Sequence, residues 1–197
     1  MKMEDSKTRI LKAAIEEFSE KGYSAASTNS IHKKAGVSKG AVFANYNSKA
    51  ELFYRAFEHC TDLTISEYRK HDFGKIHDLF ERLIAITLWK LDFFSKNPGI
   101  YRVIQLAISE SPPEIKEQVN DDLKKFLEIS GDLFFSELDA SRFSEEYTEE
   151  EARFFFKIAL AGLQSHYLRQ GVTLEDFQEN KEMGLKFLKT VLKGMEK

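Results

Sequence analysis

Apolar residues recur at three- and four-residue intervals along nearly the whole of this 197-residue chain, the period of an amphipathic α-helix. The first stripe is Ile10, Leu11, Ala14, Ile15 and Phe18, and Gly22 is placed to stop it. Ser27 is positioned to cap a short second helix carrying Ile31 and Ala35, with Gly36 as the left-handed residue that ends it. Ser38 caps a third helix with Val42, Phe43 and Tyr46, and Ser48-Lys49-Ala50-Glu51 has the capping-box spacing that opens a fourth. In that fourth helix Leu52, Phe53, Ala56, Phe57, Cys60 and Leu63 keep one face apolar to about Lys70. Past His71-Asp72-Phe73-Gly74 a stripe runs from Ile76 to Phe94 and meets a breaker at Asn97-Pro98-Gly99. Ile100 to Ile108 is apolar nearly all round, as a short buried helix is, and Ser111-Pro112-Pro113 separates it from a stripe reaching from Ile115 to Leu138. The acidic stretch from Asp139 to Tyr147 reads as a loop, and Thr148-Glu149-Glu150-Glu151 is a second capping box. It opens a strongly apolar helix expected to stop near Gly171, and a last helix begins near Thr173. The fold class is all-α: a three-helix N-terminal unit, a long linking helix and a C-terminal helical bundle, about nine helices in all.

Three prolines and ten glycines exclude a disordered or collagenous chain, and no repeat or low-complexity tract occurs. The single cysteine, Cys60, cannot form an internal disulfide or a Cys-rich zinc site, and its place on an apolar helix face favours a buried thiol. The amphipathic N-terminus lacks an export signal, and no apolar run approaches the roughly 18–20 residues of a membrane span, so a cytoplasmic protein is expected. The net charge of −3 hides an asymmetry. Residues 21–50 hold five of the 29 basic residues (Lys21, Lys33, Lys34, Lys39, Lys49) and none of the 32 acidic ones, leaving a net of −8 on the rest. A basic patch on an acidic body is the footprint of a chain that meets a polyanion at one end, although a lysine-bearing solvated face carries the same count.

The two short helices joined by Ala35-Gly36-Val37-Ser38 make a helix-turn-helix arrangement, in which the second helix can enter a DNA major groove. Lys39 stands in the first turn of that helix, where the dipole penalises a cation by ~0.3–1 kcal/mol, and its place makes sense if phosphates approach. Gly40 costs ~1 kcal/mol relative to Ala there and leaves the backbone free to approach a base or sugar.

The segment Thr8 to Phe57, through TRILKAAIEEFSEKGY and STNSIHKKAGVSKGAVFANYNSKAELF, resembles the DNA-binding domain of the TetR family of bacterial transcriptional regulators. The resemblance implies a helix-turn-helix domain over residues 1–50 and an effector-binding and dimerisation domain over residues 51–197. It implies phosphate contacts from Ser27, Thr28, Ser38 and Lys49, with Lys39 and Gly40 at the groove and Ala41, Phe43 and Asn45 completing the DNA-facing set. Phe43 stands where the family often has tyrosine, so one phosphate hydrogen bond is lost, and Ala44 and Asn45 replace larger polar residues, so no operator sequence transfers. Asn45 reads better as a phosphate or capping residue than as an adenine reader, and Tyr46 as core.

For the C-terminal domain the resemblance implies a ligand cavity. An aromatic wall of Phe80, Trp89, Tyr101 and Phe126, with Thr87, Gln105, Gln164 and His166 as polar groups, suits a small, largely apolar or aromatic effector, although a plain helical core has the same composition. The apolar residues of the last two helices exceed one face, so Phe154, Phe155, Ile158, Ala159, Gly162, Leu188 and Leu192 are expected at a homodimer interface, a two-fold arrangement that offers two reading helices to a palindromic operator. The implied function is a ligand-responsive regulator, with repression as the family default. The five histidines form no metal-ligand spacing, and no phosphate loop or nucleophile elbow occurs, so neither catalysis nor a metal or cofactor is expected. A helical small-molecule carrier or an enzyme with an incidental basic end is the alternative.

Overall fold

The structure, a computed structural model, describes residues 5–134, 143–169 and 174–197. Among the described residues there are nine α-helices and no strand: α1 (Ser6–Ala25), α2 (Thr28–Ala35), α3 (Lys39–Asn45), α4 (Lys49–Tyr68), α5 (Leu79–Lys96), α6 (Pro98–Glu110), α7 (Lys116–Phe134), α8 (Glu149–Arg169) and α9 (Leu174–Lys193). Single 3-10 turns occupy Phe73–Lys75 and Pro113–Ile115. The expected end of the α7 stripe at Leu138, the start of the acidic loop at Asp139, the stop at Gly171 and the start at Thr173 lie outside the described residues. By backbone packing the chain forms two compact units, Met1–Ser66 with Asn97–Leu123, and Glu67–Lys96 with Lys124–Lys197.

The first unit is built on α1, which packs against α2, α3 and α6. Its stripe does what its period predicts: Ile10, Ala14 and Phe18 are fully buried, and Phe18 meets Phe53 of α4 edge-on at 4.9 Å between ring centroids. Gly22 takes φ 72°, which bends α1 there, and its last residues run on to Ala25. Asn97-Pro98-Gly99 is a junction more than a gap: α5 ends at Lys96 and Pro98 already opens α6, because a first-turn residue has no intrahelical N–H bond for proline to lose. α6 is buried on most sides through Ile100, Val103, Ile104, Leu106 and Ala107, as its all-round apolarity requires. Its packing on α1 carries the first unit beyond the boundary expected at residue 50. The Cys60 thiol is inaccessible, and burial pushes it up to about 12.

The core of the second unit gathers Phe73, Leu83, Ile86, Phe134, Phe156, Leu188, Leu192 and Met195, with Phe134 and Phe156 stacked at 4.8 Å. Arg82, with no solvent exposure, sits among these residues. Its guanidinium donates to the carbonyl oxygens of Ile76 and Phe134 at 2.7 Å and of Gly74 at 2.6 Å, so a cation inside the core satisfies chain ends that no helix satisfies. The α8 capping box is complete: Glu151 N donates to Thr148 Oγ1 at 3.2 Å, and Thr148 N donates to Glu151 Oε2 at 2.9 Å. At α4 only half of the expected box forms. Glu51 N donates to Ser48 Oγ at 3.0 Å, but the Glu51 carboxylate accepts from Asn47, one residue earlier, at 2.8 Å.

Candidate nucleic-acid interface

The reading head is assembled by three short-range devices. Ser27 caps α2 by accepting from Asn29 N at 3.2 Å, and Gly36 ends it at φ 63°. Ser38 caps α3 by accepting from Ala41 N at 3.1 Å. α1 then holds the turn through two residues absent from the sequence-based candidates. Arg9 Nη1 donates to Ala35 O at 3.1 Å and to Gly36 O at 3.3 Å. Glu17, with a wholly buried side chain, accepts from Lys21 Nζ at 2.8 Å, Ser30 Oγ at 2.7 Å and Ser27 N at 3.2 Å. Burial raises the Glu17 pKa, but the hydrogen bonds from Lys21, Ser30 and Ser27 outweigh it and hold the carboxyl at about 2. A charged residue on the buried side of an amphipathic helix is the one signal by which the sequence could have announced Glu17.

On α3, Lys39, Gly40, Phe43 and Ala44 are exposed together, while Val42 and, just past the helix, Tyr46 are buried. Phe43 is 44% exposed, a high value for an aromatic side chain on a helix this short. Nothing crowds Gly40: a Cβ there would find only Ser38 Oγ, at 3.8 Å. Ser27, Thr28 and Ala41 are half-buried at the edge of the same surface. Asn45 points elsewhere. Its Nδ2 donates to Ala41 O at 2.7 Å, and with Tyr46, Glu51 and Arg55 it borders an open polar cleft of about 420 Å³.

The basic patch is smaller in space than in sequence. Lys34 pairs with Glu16 at 2.8 Å and Glu20 at 3.0 Å, hydrogen bonds that raise its pKa, and Lys21 pairs with Glu17. Lys49 donates to Ser24 O at 3.1 Å with its ammonium 4.6 Å from the Tyr23 ring centroid, and burial lowers its pKa. Among the described residues Lys33, Lys39 and Lys49 have no ion pair, and of these only Lys33 and Lys39 also make no side-chain hydrogen bond or cation–π contact.

The residues expected at an effector pocket divide between the units. Tyr101 and Gln105 belong to the first, with Gln105 buried; Thr87, Trp89, Phe126 and His166 belong to the second. Thr87 Oγ1 donates to Leu83 O within its own helix at 2.7 Å, and His166 is exposed. Trp89 stacks on Phe93 at 5.4 Å and meets Tyr68 edge-on at 5.3 Å. The side chains of Phe80 and Gln164 lie outside the described residues. Of the interface candidates, Phe154 (58%), Phe155 (44%) and Ile158 (59%) are exposed, Ala159 is half-buried, and a Cβ added at Gly162 would meet no described residue beyond its own helix within 4 Å. Leu188 and Leu192 correct the expectation. Both are core residues of their own unit, because α9 turns that stripe onto α5 and α8 and presents Met183 and Phe187 to the outside.

The sequence profile of bacterial regulatory proteins of the tetR family matches residues 10–56, and that of the Tetracyclin repressor-like C-terminal domain matches residues 77–197. The chain belongs to the TetR family. The family is one of bacterial regulatory proteins, and the helix-turn-helix assembled above lies within the first of the two matched segments. Among TetR-family relatives, the fatty acid metabolism regulator protein of Bacillus subtilis is 25% identical over 121 residues, 61% of this chain and 62% of that protein. The chain thus spans somewhat less than two thirds of that relative. The negative transcriptional regulator IcaR of the biofilm operon icaADBC in Staphylococcus epidermidis is 26% identical over 126 residues, 61% of this chain and 68% of that one. The structure of FadR from Bacillus subtilis in complex with stearoyl-CoA shares the TetR-family fold with a TM-score of 0.63 at 18% identity, covering 94% of this chain and 95% of that one. Among the described residues no helix is long and apolar enough to cross a membrane.

Proposed function

We propose that this chain is a cytoplasmic repressor that binds a palindromic operator as a homodimer and is released by a small, largely apolar or aromatic effector. The observation that carries the DNA-reading assignment is the exposed surface of α3, where Lys39, Gly40, Phe43 and Ala44 stand clear on a helix fixed from behind by Val42 and Tyr46. Ser27, Thr28, Ser38 and Lys33 flank it as phosphate contacts. Lys49 is a weaker phosphate candidate, since its ammonium is already held by Ser24 and Tyr23.

The dimer reading is supported by Phe154, Phe155 and Ile158 on α8 and Met183 and Phe187 on α9, large apolar side chains left in solvent within one unit. A two-fold axis through such a face presents two reading helices to one duplex. The effector reading is supported by the second unit's aromatic cluster, in which Tyr68, Phe73, Trp89 and Phe93 touch one another. Within it the buried Tyr68 hydroxyl has no hydrogen-bond partner among the described residues, and burial pushes it up to about 12. The complex of FadR with stearoyl-CoA agrees with an apolar ligand, and the negative regulator IcaR with repression.

The test is a salt titration of binding to the chain's own upstream DNA and to random duplex, with Lys39→Ala alongside. Affinity for the upstream fragment should fall steeply with salt, by a slope of roughly −0.9 per phosphate neutralised, and the variant should lose affinity. Absence of binding to either DNA at low salt overturns the assignment.

A further inference from the structure

The reading helix is poor in hydrogen-bonding side chains. Of its seven residues, only Lys39 and Asn45 are polar beyond the backbone. Asn45 is spent elsewhere: its amide donates back to Ala41 O, and at 100° per residue it lies about 160° round the helix from Phe43. Ser38, in front of the helix, accepts from Ala41 N and keeps its O–H for a phosphate. Along the exposed side, Lys39 and Phe43 form one i, i+4 row and Gly40 and Ala44 the next, so Phe43 is flanked by an ammonium on one side and by an open backbone and a methyl group on the other.

A surface of this composition has one kind of base edge to recognise. In the major groove the thymine 5-methyl is the apolar group that marks a base pair, and it distinguishes T·A from the other three pairs by contact alone. Gly40, with nothing within van der Waals reach except Ser38 Oγ at 3.8 Å, lets the helix backbone settle deep enough for an aromatic one turn later to touch the base edges. Resting on the DNA-binding function of the family, we propose that Phe43 is the specificity-determining residue of this regulator, and that it reads thymine 5-methyl groups in each half-site, with Ala44 beside it and Lys39 supplying the adjacent charged contact. Phe43 leaves 44% of its surface to solvent, and a duplex covers that surface. Phe43 is thus an apolar reader of bases, and hydrogen bonds to bases from α3 come down to Lys39.

The experiment replaces thymine by deoxyuridine, which keeps base pairing and removes only the methyl. The full-length protein selects its preferred duplex from a randomised pool, and each thymine of that duplex is then exchanged singly for deoxyuridine and binding read by fluorescence anisotropy. At one or two positions per half-site affinity should fall about fourfold, the effect of one lost apolar carbon group. In Phe43→Ala, which removes an exposed side chain and should fold normally by circular dichroism, the same exchange should cost nothing. Phe43→Leu, still apolar, should keep part of the effect. Uracil without effect at every position, or a penalty that persists unchanged in Phe43→Ala, overturns the proposal while leaving DNA binding intact. Failure to enrich any duplex overturns the DNA-reading function and the proposal with it.

Discussion

Ser30 Oγ donates to Glu17 Oε2 at 2.7 Å, and this bond ties the middle of α2 to the buried side of α1. The same carboxylate takes the Ser27 amide at the start of α2 and the Lys21 ammonium, so one ionised group sets the angle between the supporting helix and the helix-turn-helix.

Replacing Glu17 by Ala should destabilise the reading head by about 2–4 kcal/mol, since it strands buried donors, and thermal melts of the variant will measure it. The linkage to pH follows from the direction of the shift. The folded carboxyl titrates at about 2, against 4.5 as its ordinary value. Its contribution is therefore fully present above about pH 4.5 and lost as pH falls towards 2. Wild type should lose stability over that window more steeply than Glu17→Ala, and a pair of parallel acid denaturation profiles would refute the assignment.

Two glycines four residues apart should respond oppositely to alanine. Gly36 holds φ 63°, so Gly36→Ala should cost about 1–2 kcal/mol through backbone strain. Gly40 is an ordinary helical residue with open space beside it, so Gly40→Ala should stabilise the free protein by about 0.5–1 kcal/mol. The same change should weaken operator binding, because the added methyl stands on the DNA-facing side. Urea denaturation and anisotropy on the one variant separate the two effects.

Phe154→Glu combined with Ile158→Glu should give a folded monomer by sedimentation velocity at micromolar concentration, since both side chains are more than half exposed within their own unit. Leu188→Ala should instead lower stability by about 2–5 kcal/mol, because Leu188 is packed in the core. A double variant that remains dimeric moves the interface to another face.

Tyr68→Phe should leave the ligand-free protein as stable or slightly more stable, because the buried hydroxyl it removes has no partner among the described residues. If that hydroxyl holds the effector's polar group, the variant should still bind operator but respond to effector only at higher concentration. An unchanged effector response would detach Tyr68 from the ligand site.

Much of the fold was legible because the signals are local. Ser27, Ser38 and Thr148 cap the helices they precede, Gly36 takes the left-handed turn, and α6 is buried on most sides as its composition requires. The reading helix was legible for the same reason: a cap, a turn and a short apolar stripe are encoded within a few residues. Faces that two candidate neighbours compete for were not legible. Leu188 and Leu192 carry the same apolar pattern as Phe187 and Met183, and only the packing of α9 on α5 and α8 puts the first pair inside and the second outside. Arg82 gave no warning, because its partners Gly74, Ile76 and Phe134 are carbonyl groups whose availability depends on where helices end.

The sequence by itself determined the helix pattern, the caps and the turn of the reading head, since each rests on backbone preferences and hydrogen bonds spanning four residues or fewer. The pairing of Lys34 needed the packed chain. Counted along the chain, residues 21–50 hold five lysines and no acid, but Lys21 pairs with Glu17 one turn earlier in α1, and the packing of α1 on α2 brings Glu16 and Glu20 to Lys34. Electrostatic attraction depends on distance in space and ignores distance in sequence, so only the folded chain shows that Lys33 and Lys39 make neither an ion pair nor a side-chain hydrogen bond among the described residues.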